Sequence, residues 1–111
     1  MAGQPSHIEI GAPDVERARR FYGKLLGWTF HDTAHGASIE MQGMAAGIHP
    51  DETPGMQVFF TVEDIDQASR EVVALGGEVD EGSEDAPSGR YVFSCRDDQG
   101  IPFGLHQPPD A

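Results

Sequence analysis

His7, Glu9, His49, Gln57 and His106 are side chains that bind ligands or move protons, and they fall at strand-like spacing. Side chains two apart on a strand point the same way. Glu9 therefore shares a face with His7, Phe59 with Gln57, His49 with Gly47, and His106 with Gly104. Three imidazoles and one carboxylate on one face can hold a metal ion or hydrogen-bond an organic ligand. Glu9 is the candidate base of the set. The plainer alternative puts His49 and His106 at strand ends in water, next to Pro50 and just before Pro108-Pro109. Trp28 and Phe59 can supply an aromatic wall for stacking, with ordinary core packing as the alternative for each. Arg90 heads a strand beside a Gly-rich loop and reads as a solvated arginine or an anion contact. His31 and His35 lie near a hairpin turn and read as uninvolved in chemistry. Cys95 beside Arg96 reads as a passive thiol. There is no Ser-His-Asp order, no phosphate loop and no paired-cysteine metal motif.

The elements that carry these residues repeat. Asp14-Val15-Glu16-Arg17-Ala18 returns as Asp64-Ile65-Asp66-Gln67-Ala68, and the same offset carries Leu25 to Leu75 and Gly27 to Gly77. It also lays His7–Ile10 over Gln57–Phe60. Gly47-Ile48-His49 resembles Gly104-Leu105-His106 at a longer offset, so the second copy carries extra residues in the Gly82–Gly89 loop. A repeat of this kind dictates architecture. Each copy opens with a β-branched or aromatic run, then an Asp suited to cap a helix. Apolar positions follow at helical spacing: Val15, Ala18, Tyr22 and Leu25, then Ile65, Ala68, Val72 and Leu75. Gly27 and Gly76-Gly77 end the helices. Three strands come next in each copy: 28–33, 37–41 and 44–49, then 78–81, 90–96 and 101–106. The expectation is an α+β fold, βαβββ twice, with modules at about 6–50 and 56–108 of one domain over 1–111. One such unit is marginal alone, and pairing two leaves a curled mixed sheet whose inner face lines a cleft.

The bulk properties narrow the partners. A formal charge of −12 argues against nucleic acid and anionic membranes, and the one basic cluster is Arg17, Arg19, Arg20 and Lys24 on a helix. No stretch approaches the roughly 20 apolar residues of a membrane span, and the N-terminus lacks signal-peptide character. A single cysteine suits a reducing, cytoplasmic setting.

The opening His7-Ile8-Glu9-Ile10 with Asp14–Ala18, the Phe21–Trp28 segment, Val62–Asp66, Ala74–Gly77 and the Asp97-Asp98-Gln99-Gly100 turn resemble the vicinal oxygen chelate superfamily of glyoxalases, bleomycin-resistance proteins and extradiol dioxygenases. The resemblance spans about residues 6–108. It implies a divalent metal held from the first and last strand of each module, at His7, Gly47, Gln57 and Gly104. His7 is a competent ligand and Gln57 a weaker one. Gly47 and Gly104 stand where glutamate is usual, so a hard cation loses its anionic ligands. The implied function is therefore a small-molecule-binding protein with the metal site eroded and no cofactor, sequestering an antibiotic or metabolite. Glycines at 47 and 104 also widen the cleft for a flat ligand. The alternatives are a metal-dependent lyase, isomerase or dioxygenase that keeps His7 and uses Glu9 as base, and a non-catalytic accessory subunit. A homodimer is expected from exposed sheet edges and family habit.

Overall fold

A computed structural model of the chain describes residues 2–109. The elements run β1 (Pro5–Ala12), α1 (Val15–Leu26), β2 (Phe30–Thr33), β3 (Gly36–Ile39), β4 (Ala45–Pro50), β5 (Gly55–Thr61), α2 (Ile65–Ala74), β6 (Glu78–Val79), β7 (Glu84–Ala86), β8 (Gly89–Arg96) and β9 (Pro102–Gln107). The fold is α+β. Its compact units comprise residues 7–57 and residues 1–6 with 58–111.

In the first unit the strands lie in the order β2-β3-β4-β1. β1 and β4 are parallel, in a register that sets Glu9 opposite Gly47 and Gly11 opposite His49. The other two pairs are antiparallel. Parallel neighbours need a long crossover, and α1 begins it. The Asp14 carboxylate accepts the Arg17 N–H at 3.1 Å to cap α1, and Gly27 closes it at φ 72°. Ile10, Ala12, Ala37, Ile39, Ala46 and Ile48 form a buried core, with Val15 and Ala18 of the helix packed against it. The even-numbered residues of β1 thus face α1. His7 and Glu9 point to the other face.

The second unit repeats the scheme. Its strands run β5-β9-β8-β6, with β5 and β9 parallel and Phe59 opposite Gly104. Ile65, Val92, Cys95 and Leu105 form its core, under Ala68 and Val72 of α2. Asp64 caps α2 through bonds from Asp66 and Gln67 N–H. The helix ends at Leu75, and Gly76 supplies the left-handed turn at φ 96°. Two details differ from the sequence expectation. The second strand of this module is only Glu78–Val79. The extra residues of the Gly82–Gly89 segment form β7, which pairs with β8. The duplicated register is direct: Glu9 faces Gly47 as Phe59 faces Gly104, and Gly11 faces His49 as Thr61 faces His106.

Candidate functional site: a His–Glu–His line in the first module

On the face of the first module opposite α1, four side chains form one polar line. The His7 Nε2–H donates to Glu9 Oε1 at 2.8 Å, and the His49 Nδ1–H donates to Glu9 Oε2 at 2.7 Å. Beyond His49, its Nε2 lies 3.4 Å from Asp51 Oδ2, and Asp51 Oδ1 accepts the Thr53 N–H at 2.9 Å. Only 17% of the His7 side chain and 21% of the Glu9 side chain are exposed, against 38% for His49. Burial pushes the Glu9 carboxyl up, but the hydrogen bonds and charge of His7 and His49 outweigh it and hold it below the usual range. Asp51 is also held low, chiefly by the Thr53 N–H.

Two glycines make this line fit. A Cβ at position 47 would fall 2.8 Å from Glu9 Oε1, so the Glu9 carboxylate lies over bare backbone. A Cβ at position 11 would fall 2.9 Å from the Asp51 Cβ. Glycine inside a strand often marks a close approach of this kind.

The equivalent face of the second module is aromatic. Phe59 is 1% exposed and meets Tyr91 and Phe93 edge-on, with centroids 5.7 and 5.5 Å away. A Cβ at position 104 would enter the Phe59 ring. His106 stacks on Tyr91 at 4.4 Å and 4°. Its Nε2–H donates to the Ser88 carbonyl at 2.7 Å, which leaves Nδ1 to accept the Ser6 hydroxyl at 2.9 Å. These bonds fix one neutral tautomer.

The structure thus brings His7, Glu9, Gly47 and His49 together. Gln57 is half-buried on β5, in line with the residues that precede Phe59. Three expectations change. His106 is buried rather than at a solvated strand end, because Tyr91 covers it and both nitrogens are bonded. Trp28 stacks on Tyr22 at 5.1 Å and packs against the core on the α1 side, the opposite face from Glu9. Phe59 is covered by its own aromatic neighbours rather than offered as a wall. Arg90 is engaged by Asp66, Asp85 and Ser83. Sequence reasoning passed over Asp51, Ser6, Ser88, Tyr91 and Phe93. The signal for Asp51 was Gly11, a glycine inside a strand.

Cys95 is buried, and desolvation, with help from the Asp80 charge, pushes its thiol up to about 11. It should resist a disulfide reagent at neutral pH in the folded protein and react fully once the chain is unfolded. Rapid labelling of the native protein would contradict this placement.

Among the described residues, no group of three or more His, Cys, Asp or Glu side chains is arranged to hold a metal ion. Nor, among the described residues, is any helix long and apolar enough to cross a membrane.

The comparisons agree with the architecture. A methylmalonyl-CoA epimerase from Mycobacterium tuberculosis superposes with a TM-score of 0.66 at 21% identity, covering 97% of this chain and 89% of that one. An extradiol ring-cleaving dioxygenase from B. fuscum gives 0.69 at 17% identity, covering 98% of this chain and 33% of its own. In sequence, a glyoxylase-like domain-containing protein from Didymella fabae is 36% identical over 69% of this chain and 71% of its own length. The anthracycline biosynthesis protein DauV of Streptomyces sp. (strain C5) is 30% identical across the whole chain, which spans 44% of that protein. The Glyoxalase/Bleomycin resistance protein/Dioxygenase superfamily pattern matches residues 4–105, and the chain belongs to that family.

Proposed function

We propose that the protein binds a small organic molecule through the His7–Glu9–His49 line, without the divalent metal of its enzymatic relatives. The observation behind this is the Glu9 carboxylate. It lies over Gly47, where the family's glutamate would begin, and both its oxygens are taken by imidazoles at 2.8 and 2.7 Å. His7, the one strong donor at the four family positions, has its Nε2 bonded to Glu9. Position 104 cannot carry a carboxylate while the Phe59 ring occupies its space. This donor set does not fit the family's metal centre. What it offers instead is a fixed, half-buried row of polar groups that a ligand hydroxyl or carbonyl can join. Such rows orient ligands in otherwise apolar sites.

Calorimetry on untagged protein tests this, with a panel that includes an anthracycline and methylmalonyl-CoA, the chemistries named for two relatives. Binding should survive a chelator and weaken about tenfold, roughly 1.4 kcal/mol, in Glu9→Gln. Stoichiometric metal in the purified protein, or affinity abolished by the chelator, would sink the metal-free reading.

A second reading, an enzyme with Glu9 as base, is favoured by the two imidazoles that aim this carboxylate. Its test is deuterium uptake from D2O into the acidic C–H of a bound ester. Exchange lost in Glu9→Gln supports it, and no exchange leaves binding as the function.

A further inference from the structure

One end of the first module carries a cleft of about 710 Å³, between the first turns of α1, the β2–β3 turn and the last residues of β4. Glu16, Arg19, Asp32, His35 and His49 supply its polar lining, and Val15 and Pro50 contribute apolar surface. None of the family's metal positions lines it, and of the His–Glu–His line it shares His49 alone. A close approach builds the cleft. β3 opens at Gly36 and pairs with β4 so that Ala37 stands opposite Ile48. A Cβ at position 36 would enter the Ile48 carbonyl and fall 3.0 Å from the His49 Cα. Bare backbone there lets the β2–β3 turn, with Ala34 and His35, lie directly against the end of β4.

Within the cleft Arg19 is held from several sides. Its Nη1 donates to Asp32 Oδ1 at 2.6 Å and lies 3.7 Å from Glu16 Oε1. The guanidinium also sits over the Phe30 ring, its carbon 5.4 Å from the centroid. The Arg19 side chain is only 25% exposed, whereas Glu16 and Asp32 are largely in water. Among the described residues, Arg19 Nε and Nη2 donate to no partner, and Asp32 Oδ2, Glu16 Oε2 and the His35 ring are equally unengaged. The guanidinium is thus fixed in place with one edge of its fork left for a ligand, and acceptor oxygens stand beside that edge.

We infer that this cleft binds a neutral polyhydroxylated ring, a sugar, between Arg19 and His35. A hydroxyl both donates and accepts, so neighbouring hydroxyls on one ring can bond a guanidinium edge and a carboxylate oxygen side by side. Val15 and Pro50 offer surface to the C–H face of such a ring. Two carboxylates against one guanidinium disfavour a phosphate or carboxylate ligand, and the guanidinium in their midst disfavours an ammonium. No aromatic side chain lines the cleft among the described residues, so a flat aromatic ligand finds no ring to stack on. The volume suits a small ligand, for which pockets span about 300–1,000 Å³. Sugar binding here does not depend on what the Glu9 carboxylate does.

Amide-detected NMR on the isotope-labelled full chain tests this. The probes are the neutral sugars D-glucose, D-galactose, L-rhamnose and D-ribose, with glucuronate and glucosamine as charged counterparts. At least one neutral sugar should shift the Val15 and Ala34–Gly36 amides and the Arg19 Nε–H, with a dissociation constant in the millimolar range expected for a single ring. Affinity should fall about tenfold in Arg19→Met and several-fold in His35→Ala, through lost hydrogen bonds to the ligand. It should be unchanged in Arg20→Gln, one position along the same helix and outside the cleft. His35 is exposed and unbonded, so His35→Ala keeps the test open where Arg19→Met does not fold. No shift with any neutral sugar far above millimolar concentration would overturn the inference. So would binding indifferent to both cleft variants, shifts caused by the charged sugars alone, or shifts confined to the amides around Glu9.

Discussion

Truncating Phe59 to alanine should lower the unfolding free energy by about 3–5 kcal/mol, the range for a fully buried aromatic ring. The ring is 1% exposed, contacts Tyr91 and Phe93 edge-on, and fills the space above Gly104. The same geometry predicts a second loss. Gly104→Ala drives a methyl into that ring and should cost about 1–3 kcal/mol by overpacking. Combined, the two changes should be markedly less harmful than their sum, because the new methyl enters the space the ring has left. Urea unfolding of the wild type, both single variants and the double variant measures the coupling. Additive losses would mean that the ring and the glycine do not share that space.

Glu9→Gln should destabilise the protein by about 1–3 kcal/mol at neutral pH, the usual cost of leaving a buried hydrogen-bonding group without its partner. A carboxylate accepts from both imidazoles, whereas the amide presents an oxygen to one and an N–H to the other. The loss depends on pH in a definite direction. The folded carboxyl titrates below its usual value, so its contribution is complete above the unfolded pKa of about 4.3. It fades as pH falls through the lower folded value. Thermal unfolding curves of wild type and variant should therefore stand apart at neutral pH and converge in acid. A gap that widens on acidification would show that Glu9 is not held as an anion in the fold.

Much of the fold was legible because its signals are local. Asp14, Asp64 and Gly27 mark helix ends through bonds within one turn, and the structure uses all three as caps. Alternation along β1 placed His7 and Glu9 on one face and Ile8 and Ile10 on the other. What alternation cannot supply is the side-chain geometry across strands. That the Glu9 carboxylate lies over Gly47 depends on the β1–β4 register, which unites residues nearly forty positions apart. The repeat hinted at it, since Phe59 and Gly104 make the same pair one module later. Trp28 shows the opposite difficulty. It follows a helix directly, where strand alternation has no authority, and Tyr22 draws it to the α1 side. For His106 the neighbouring prolines suggest a solvated strand end as the alternative, whereas its neighbours in space are Tyr91, Ser88 and Ser6.

Residues 1–6 precede the first module yet belong to the second unit. Gly3 N–H donates to the Thr61 carbonyl, Thr61 N–H to the Gln4 carbonyl, and the Ser6 hydroxyl to His106, a hundred positions along the chain. During synthesis on a ribosome, this segment emerges well before the strands that partner it. The opening strand of the first module can settle early, but in the stretch leading into it Gly3 and Gln4 wait for Thr61 of β5, and Ser6 waits for His106 of β9. The hydrogen bonding of this stretch is thereby complete only once β9 is made, and a nascent chain halted before β9 should leave it more open to proteolysis than the finished fold does.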